Sequence, residues 1–255
     1  MPRPSRTMHL PAPGDVRTCT RWACLQRIPG SGPDPAALSH HVEWVVHAVA
    51  ATLIVEAEVN GALQATDRYV DAFLDQYWTG IPALPGHGYP KALLAAAEER
   101  GAVCIETLVD RVLPRLQYTE RLLAHTQPFG WTIPDGTDGE LVIPGVIARL
   151  GEDRLTGILR IYDWRIEEDA LLHGTSVLRY QQIGVALGWL QAQYPGRQTA
   201  YVEVFLLTDV AWGSTRTPEE LRLLEDLLRH QAAQRAAEER NPWPFGSPPL
   251  HLGRN

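Results

Sequence analysis

The sequence predicts a protein of the α/β (α+β) class, because the spacing of its apolar residues changes once along the chain. Between Leu38 and Val112 apolar residues recur every three or four positions, which is typical of helices that bury one face. From Tyr118 to Thr208, stretches rich in β-branched and aromatic residues alternate or run apolar, as strands do. We therefore expect a helical region followed by a β-rich region.

The bounds of the elements follow from caps, prolines and periodicity. The first predicted helix begins at Asp34. Four further helices are predicted at Thr66 to Trp78, Pro90 to Val112, Ser176 to Gln193 and Thr217 to Arg240. The predicted strands span Tyr118 to Ala124, Glu140 to Leu150, Leu155 to Trp164 and Ala200 to Thr208. Pro114 should stop the third helix, since proline removes a helical hydrogen bond. Thr217 and Glu220 form a capping box at the start of the last helix.

Composition indicates one main domain with a segment at each end. The 255 residues, 45% hydrophobic and 21% charged, are enough to bury one substantial core. Residues 1–33 are rich in proline and arginine and are expected to be extended around a turn at Cys19-Thr-Arg-Trp22-Ala-Cys24. Residues 34–240 form the predicted domain, divided into a helical part (34–115) and a core (116–240), and residues 241–255 form a tail.

Charge and cysteine content restrict the function classes. A net charge of −7 argues against indiscriminate nucleic-acid binding, which draws mainly on phosphate neutralisation by lysine and arginine. It leaves room for a local basic groove, for which Arg149, Arg160 and Arg179 are the candidates, since arginine presents a planar fork to phosphate oxygens. Three cysteines form neither a metal quartet nor an even disulfide set, so we expect a reducing, cytoplasmic setting. The longest apolar run is too short to span a bilayer, and no membrane segment is expected.

The most informative residues lie on the two middle strands. Asp163 and Arg165 share a strand face because side chains alternate, and Ala148 lies near the end of the preceding strand, where it could face Asp163. With an aspartate in place of Ala148, two carboxylates and a cation would surround one spot. Such a cluster suits phosphodiester hydrolysis, in which Mg²⁺ held by carboxylates activates water and neutralises the phosphate.

The order of these pieces resembles the PD-(D/E)XK nuclease superfamily, specifically its RecB-like exonuclease branch, over about residues 16 to 210. Cys19-Thr-Arg-Trp22 looks like the family's Cys-Pro-x-x-Tyr opening, and His47 and Glu120 lie where the family places a helix histidine and a glutamate on the first core strand. The segment Gly145-Val-Ile-Ala148-Arg-Leu is similar to Gly-x-Ile-Asp-Arg-Val, and Ile161-Tyr-Asp163-Trp-Arg165 to Ile-x-Asp-Tyr-Lys. Gln182 matches the helix glutamine, and Ala186 stands at the tyrosine position.

The resemblance implies a fold and a set of site residues. The fold is a restriction-endonuclease-like mixed central sheet of four or five strands flanked by helices, with an N-terminal helical lobe over the cleft. The catalytic positions are Asp163, Arg165 and Gln182, with Ala148 and Ala186 as degenerate positions. If the protein is active, Mg²⁺ or Mn²⁺ would be held by His47, Glu120 and Asp163. Some members of this branch hold an iron–sulfur cluster with four cysteines, the last three of them near the C-terminus. Residues 241–255 contain no cysteine, so no cluster is expected here.

The departures from the family pattern predict impaired catalysis. Ala148 offers no oxygen ligand, and Arg165 cannot act as a proton-transfer group near neutral pH. Each of these residues also has a structural interpretation: Asp163 could pair with Arg165 or Arg179 in a salt bridge, His47 could be a hydrogen-bonded histidine, Gln182 could bridge strands, and Glu120 could be a solvated strand residue.

Three functions remain open at this point. The first is a catalytically impaired subunit in DNA processing that binds DNA or a protein partner such as a helicase. The second is an active metal-dependent exonuclease with a rearranged site. The third is a structural or assembly subunit that uses the fold as a scaffold.

Overall fold

The structure, a computed structural model, describes residues 5–7, 35–61, 63–84, 88–136, 139–167 and 177–240. The predicted turn at Cys19 to Cys24 and the predicted tail of residues 241–255 lie outside the described residues. The described part has the mixed helix-and-sheet architecture that the sequence predicts, with a helical N-terminal region followed by strands.

The helical region packs around a stripe of apolar residues on its first helix. Helix α1 (Pro35–Ile54) continues as a π-helical segment (Val55–Val59) and is followed by α2 (Thr66–Gly80) and α3 (Lys91–Thr107). The predicted core positions of α1 are all buried: Leu38, Val42, Val45, Val49 and Leu53. Burial of this face against α2 and α3 stabilises α1, since a helix in water depends mainly on tertiary packing.

The prediction that Pro114 ends the third helix is wrong. Helix α3 continues through a π-helical segment (Leu108–Val112) into α4 (Leu113–Thr119), and Pro114 lies in the first turn of α4. The missing N–H of a proline is tolerated in a first helical turn. The π-helical segment just before it, in which hydrogen bonds join residues five apart, keeps the helix continuous up to the proline. The proline therefore marks a change of helix type rather than a stop.

The sheet is mixed, as expected. Its strands are β1 (Ser5–Thr7), β2 (Glu120–Pro134), β3 (Glu140–Asp153), β4 (Leu159–Arg165), β5 (Thr199–Phe205) and β6 (Val210–Ser214). The strand order is β1-β3-β4-β5-β6, and β2 pairs with β3 along the opposite edge. The β1–β3 and β4–β5 pairs are parallel and the others are antiparallel. Five strands thus match the predicted size, and the three-residue β1 adds to them.

Strand β2 is much longer than its predicted span, which ended at Ala124. A register shift between Leu122 and Ala124 and a φ of 43° at Thr126 interrupt the alternation of side chains, so the sequence pattern is lost there. Pro128 is tolerated because β2 pairs only with β3 among the described strands, which leaves its other edge free of ladder bonds. Beyond the irregularity, Trp131 and Ile133 resume the burial of alternate residues.

Each face of the sheet has its own core. Tyr162 and Trp164 of β4 join the core beneath the helical region, whereas Leu159 and Ile161 join a second core with helix α5 (Val177–Gln193). Alternation along β4 therefore puts Asp163 and Arg165 on the side of α5. Helix α6 (Pro218–Arg240) packs on the same second core, and its predicted capping box is confirmed by hydrogen bonds between Thr217 and Glu220 in both directions, at 2.7 and 3.2 Å.

Among the described residues, no helix has the length and apolar character that crossing a bilayer requires.

The close approach of α3 to α2 gives a test of the helical packing. A Cβ added at Gly101 would lie 1.9 Å from the Phe73 ring, inside van der Waals contact. Gly101→Ala normally favours a helix by about 1 kcal/mol, but here the clash should dominate and lower the free energy of unfolding by about 1–3 kcal/mol. Chemical denaturation measures this value. The double variant with Phe73→Leu should recover part of the loss, and a stabilised Gly101→Ala protein would contradict this packing.

Candidate functional site

A gap in the sheet lies where β3 and β4 separate. These strands pair from Glu152 and Leu159 to Arg149 and Tyr162, and β1 pairs farther along the same edge of β3 with residues 140–142. No described strand pairs with this edge between residues 143 and 148. Continuing the register of the β3–β4 pair by one residue puts Ala148 beside Asp163, at the point where the two strands separate. Ala148 lies in the middle of β3 and not near its end as the sequence predicts, because β3 continues along β2 beyond the gap.

A cavity of about 450 Å³ occupies this gap and is open to one side. Helices α1 and α5 and strands β2 to β5 all contribute to its lining. The lining includes six positions chosen from the sequence, which are His47, Ala148, Asp163, Arg165, Gln182 and Ala186. The structure thus brings most of the predicted site together in one pocket, with Ala148 and Ala186 as small apolar walls.

Asp163 is engaged by two neighbours within the protein. Arg165 Nη2 lies 2.7 Å from Asp163 Oδ2, and the Tyr201 hydroxyl donates a hydrogen bond of 2.9 Å to the same oxygen. Burial and the negative charge of Asp163 raise the pKa of Tyr201 well above its ordinary value, so Tyr201 stays a proton donor. The salt-bridge interpretation of Asp163 is therefore confirmed.

Arg165 neutralises three carboxylates, of which Asp163 and Glu43 line the pocket and Glu203 does not. Besides Asp163, its guanidinium lies 3.2 Å from Glu203 and 3.9 Å from Glu43. Burial alone would lower the pKa of Arg165, but the attraction of Asp163 and Glu203 outweighs burial and holds that pKa above its ordinary value. Arg165 is thus a permanent cation fixed in place, and it cannot exchange a proton with a substrate.

The other two carboxylates near Arg165 differ in how they are neutralised. Glu203 also pairs with Arg179, and burial raises the pKa of Glu43, with further raising by Glu167 and Asp163 and opposing effects from His47 and Arg165. Burial is the largest of these causes, and it penalises the charged form of the carboxylate whatever its neighbours. The pocket offers a phosphate group no arginine or lysine among its described lining residues beyond Arg165, which is already paired.

Glu120 does not join the pocket and is not the solvated residue that one interpretation suggested. It is buried behind the strand junction, where its carboxylate accepts hydrogen bonds from Arg149 (2.6 Å), Arg160 (2.9 Å) and the Tyr162 hydroxyl. His47 and Asp163 line the pocket without it. Within the described ranges, no group of three or more His, Cys, Asp or Glu side chains is arranged to hold a metal ion.

The three arginines chosen as phosphate contacts are all engaged inside the protein. Arg149 is fully buried and pairs with Glu58 through two hydrogen bonds of 2.6 and 2.8 Å. Arg160 pairs with Asp153 and Glu120, and Arg179 pairs with Glu203. Burial lowers the pKa of Arg149, but hydrogen bonds to Glu58 and Glu120 more than compensate.

Two pocket residues, Glu43 and Tyr201, and the neighbouring Glu203, which does not line the cavity, were missed at the sequence level. Glu43 lies four residues before His47 and so shares its helix face. Tyr201 and Glu203 alternate on β5, with Glu203 opposite Asp163 in the parallel register. The helical spacing of Glu43 and the strand period of Tyr201 and Glu203 were visible in the sequence. The proximity of these residues to Asp163 was not, because it depends on the strand order.

Comparison of the chain with protein-family models and with curated proteins finds no match. The geometry of the pocket therefore carries the functional argument.

The buried Arg149 network gives a second test. Arg149→Met leaves Glu58 buried without its cation and leaves Glu120 with Arg160 alone, and breaking a buried pair in this way costs about 3–5 kcal/mol of unfolding free energy. The matched control is Arg121→Met, which removes an exposed arginine paired with Glu152 and should change stability by less than about 1 kcal/mol. Urea denaturation compares the two, and equal losses would argue against a structural role specific to Arg149.

Proposed function

We propose that this protein has a RecB-like nuclease fold whose metal-dependent catalysis is lost or strongly impaired, and that it works as a complex-forming subunit. The observation that carries the proposal is the pairing of Arg165 with Asp163 beside Ala148. A guanidinium lies on the carboxylate that the resemblance assigns to the metal. The second carboxylate of that site is missing.

The residues present do not fit a hydrated Mg²⁺ ion. Such an ion demands near-octahedral oxygen ligands, usually including one or two carboxylates. At this pocket Asp163 Oδ2 is already in contact with Arg165 and Tyr201, and Ala148 supplies no ligand. Glu120, needed by the rearranged-site alternative, is held away from the pocket by Arg149 and Arg160. An incoming cation would have to displace Arg165, whose charge also repels it.

A protein partner is favoured over DNA as the ligand of this subunit. The candidate phosphate-binding arginines are neutralised internally, and the pocket is lined by the carboxylates Glu43 and Asp163. Because these three arginines are already paired, phosphate neutralisation by them supplies little binding free energy. The link to DNA processing rests on the resemblance, and a structural role in an assembly is the version of the proposal closest to these charges.

A cleavage assay tests the loss of catalysis. Single- and double-stranded DNA are incubated with Mg²⁺ or Mn²⁺ and the wild type, the double variant Ala148→Asp with Arg165→Lys, or that variant with Asp163→Ala added. We expect cleavage only with the double variant, because it restores a second carboxylate and a compact cation. Wild-type cleavage that Asp163→Ala abolishes would overturn the proposal, and an inert but folded double variant would argue against the nuclease resemblance.

Metal binding provides a separate readout. Calorimetric titration with millimolar Mn²⁺ should give no binding to the wild type, since Arg165 covers Asp163, and measurable binding to the double variant. The single variant Ala148→Asp is the control for added charge alone. Binding to the wild type that is lost in Asp163→Ala would instead support the rearranged-site exonuclease.

A further inference from the structure

Strand β6 forms an unpaired, apolar edge of the sheet. It pairs with β5 on one side, and no described strand pairs with its other side. Val210 and Trp212 are 46% and 44% exposed on this strand, and none of its five residues is charged. Exposed edges are usually protected by charges, prolines or bulges, because free N–H and C=O groups pair readily with another strand. This edge lacks the charge and proline protection.

Gly213 in the middle of this strand is not required by the fold of the single chain. A Cβ added there meets no atom within 4 Å, and its backbone does not adopt the left-handed φ that favours glycine. A β-branched residue would pack better in a strand. A glycine inside a strand often marks a bulge, a bend, or a close approach by a ligand or another backbone. The register of β6 with β5 is continuous through Gly213, so there is no bulge here, and close approach by another backbone is the interpretation we adopt.

Charges of opposite sign flank the two ends of β6. Asp209 precedes the strand and Arg216 follows it by two residues. Asp209 lies 3.4 Å from Arg115 in an exposed salt bridge, of the kind that contributes little free energy and leaves the carboxylate open to a second cation. Within the described part of the chain Arg216 forms no salt bridge, and its guanidinium lies 4.2 Å from the centre of the Tyr180 ring. When two copies of the same strand pair in antiparallel orientation, the beginning of one lies near the end of the other. Asp209 of each copy would then approach Arg216 of the second copy, so self-pairing is electrostatically complementary in this orientation.

We propose that two copies of this chain associate through their β6 edges, in antiparallel orientation around a two-fold axis at Trp212, to form one continuous sheet. In this register the two Trp212 side chains are cross-strand neighbours on one face, where aromatic pairs contribute favourably. Ala211 lies opposite Gly213 of the second copy on the other face, and these small residues allow close approach. The proposal does not depend on the loss of nuclease activity.

The dimer should be weak and reversible. Five-residue strands bury little area, in the range of transient contacts rather than obligate ones. Two chains that each carry a net charge of −7 also repel at long range. We therefore expect a monomer at low micromolar concentration and a growing dimer fraction towards submillimolar concentration.

Analytical ultracentrifugation of the full chain tests the association. Gly213→Lys puts a charge in the paired edge and should weaken the dimer by about tenfold or more, while the open space around Gly213 leaves folding intact. The matched control is Leu155→Lys, at a site that is 97% exposed on the β3–β4 turn and outside β6, and it should leave the dimer unchanged. Thermal melts establish that both variants are folded.

Site-specific cross-linking tests the register. Trp212→Cys puts two thiols opposite each other across the axis, at a Cα separation of about 4.5–5.5 Å that a disulfide accepts. Mild oxidation should give a covalent dimer, whereas Leu155→Cys and the wild type should not. A wild type that is monomeric at every concentration overturns self-pairing. The same holds if the monomer pairs its β6 edge with a strand of another protein. A dimer unaffected by Gly213→Lys, or one without the Trp212→Cys cross-link, overturns this interface or its register.

Discussion

The buried guanidinium of Arg149 holds the protein together at the point where β3 and β4 separate. It joins Glu58, on the π-helical segment of the helical region, to Glu120 at the start of β2, and it stacks over Tyr162, its register partner on β4. One side chain therefore links the helical region, β2 and β4 around β3. A buried ion pair is weak evidence for net stability, but its loss is costly and its directional bonds define geometry. The gap and the pocket begin one residue beyond it.

Much of the fold follows from local patterns in the sequence. The period of α1, the capping box of α6 and the alternation that separates Tyr162 from Asp163 are all local, and each agrees with the structure. The wrong predictions came from local rules that tertiary packing overrides. Pro114 was accommodated by a π-helical turn, and the register shift in β2 hid ten further strand residues from a test based on strict alternation.

In the candidate site, too, local features were predictable and long-range pairings were not. The proximity of Ala148 to Asp163 and the i, i+2 relation of Asp163 and Arg165 were predictable, because they need only a hairpin and a strand. The pairing of the arginines with carboxylates inside the protein was not predictable. Arg149 is 91 residues from Glu58 in the chain, and nothing in the sequence shows that the two pair. Arginine content therefore indicates a basic groove only when the carboxylates that neutralise it have also been located.

The separation of the interior into two cores has a dynamic consequence. Trp164 belongs to the core under the helical region and Trp131 to the core under α5 and α6, and the sheet lies between them. Local opening free energies within one protein depend on the buried contacts of each cooperative unit. Amide hydrogen exchange on the two sides of the sheet is thus governed by different sets of side chains, and a ligand that loosens one layer can leave the solvent protection of the other intact.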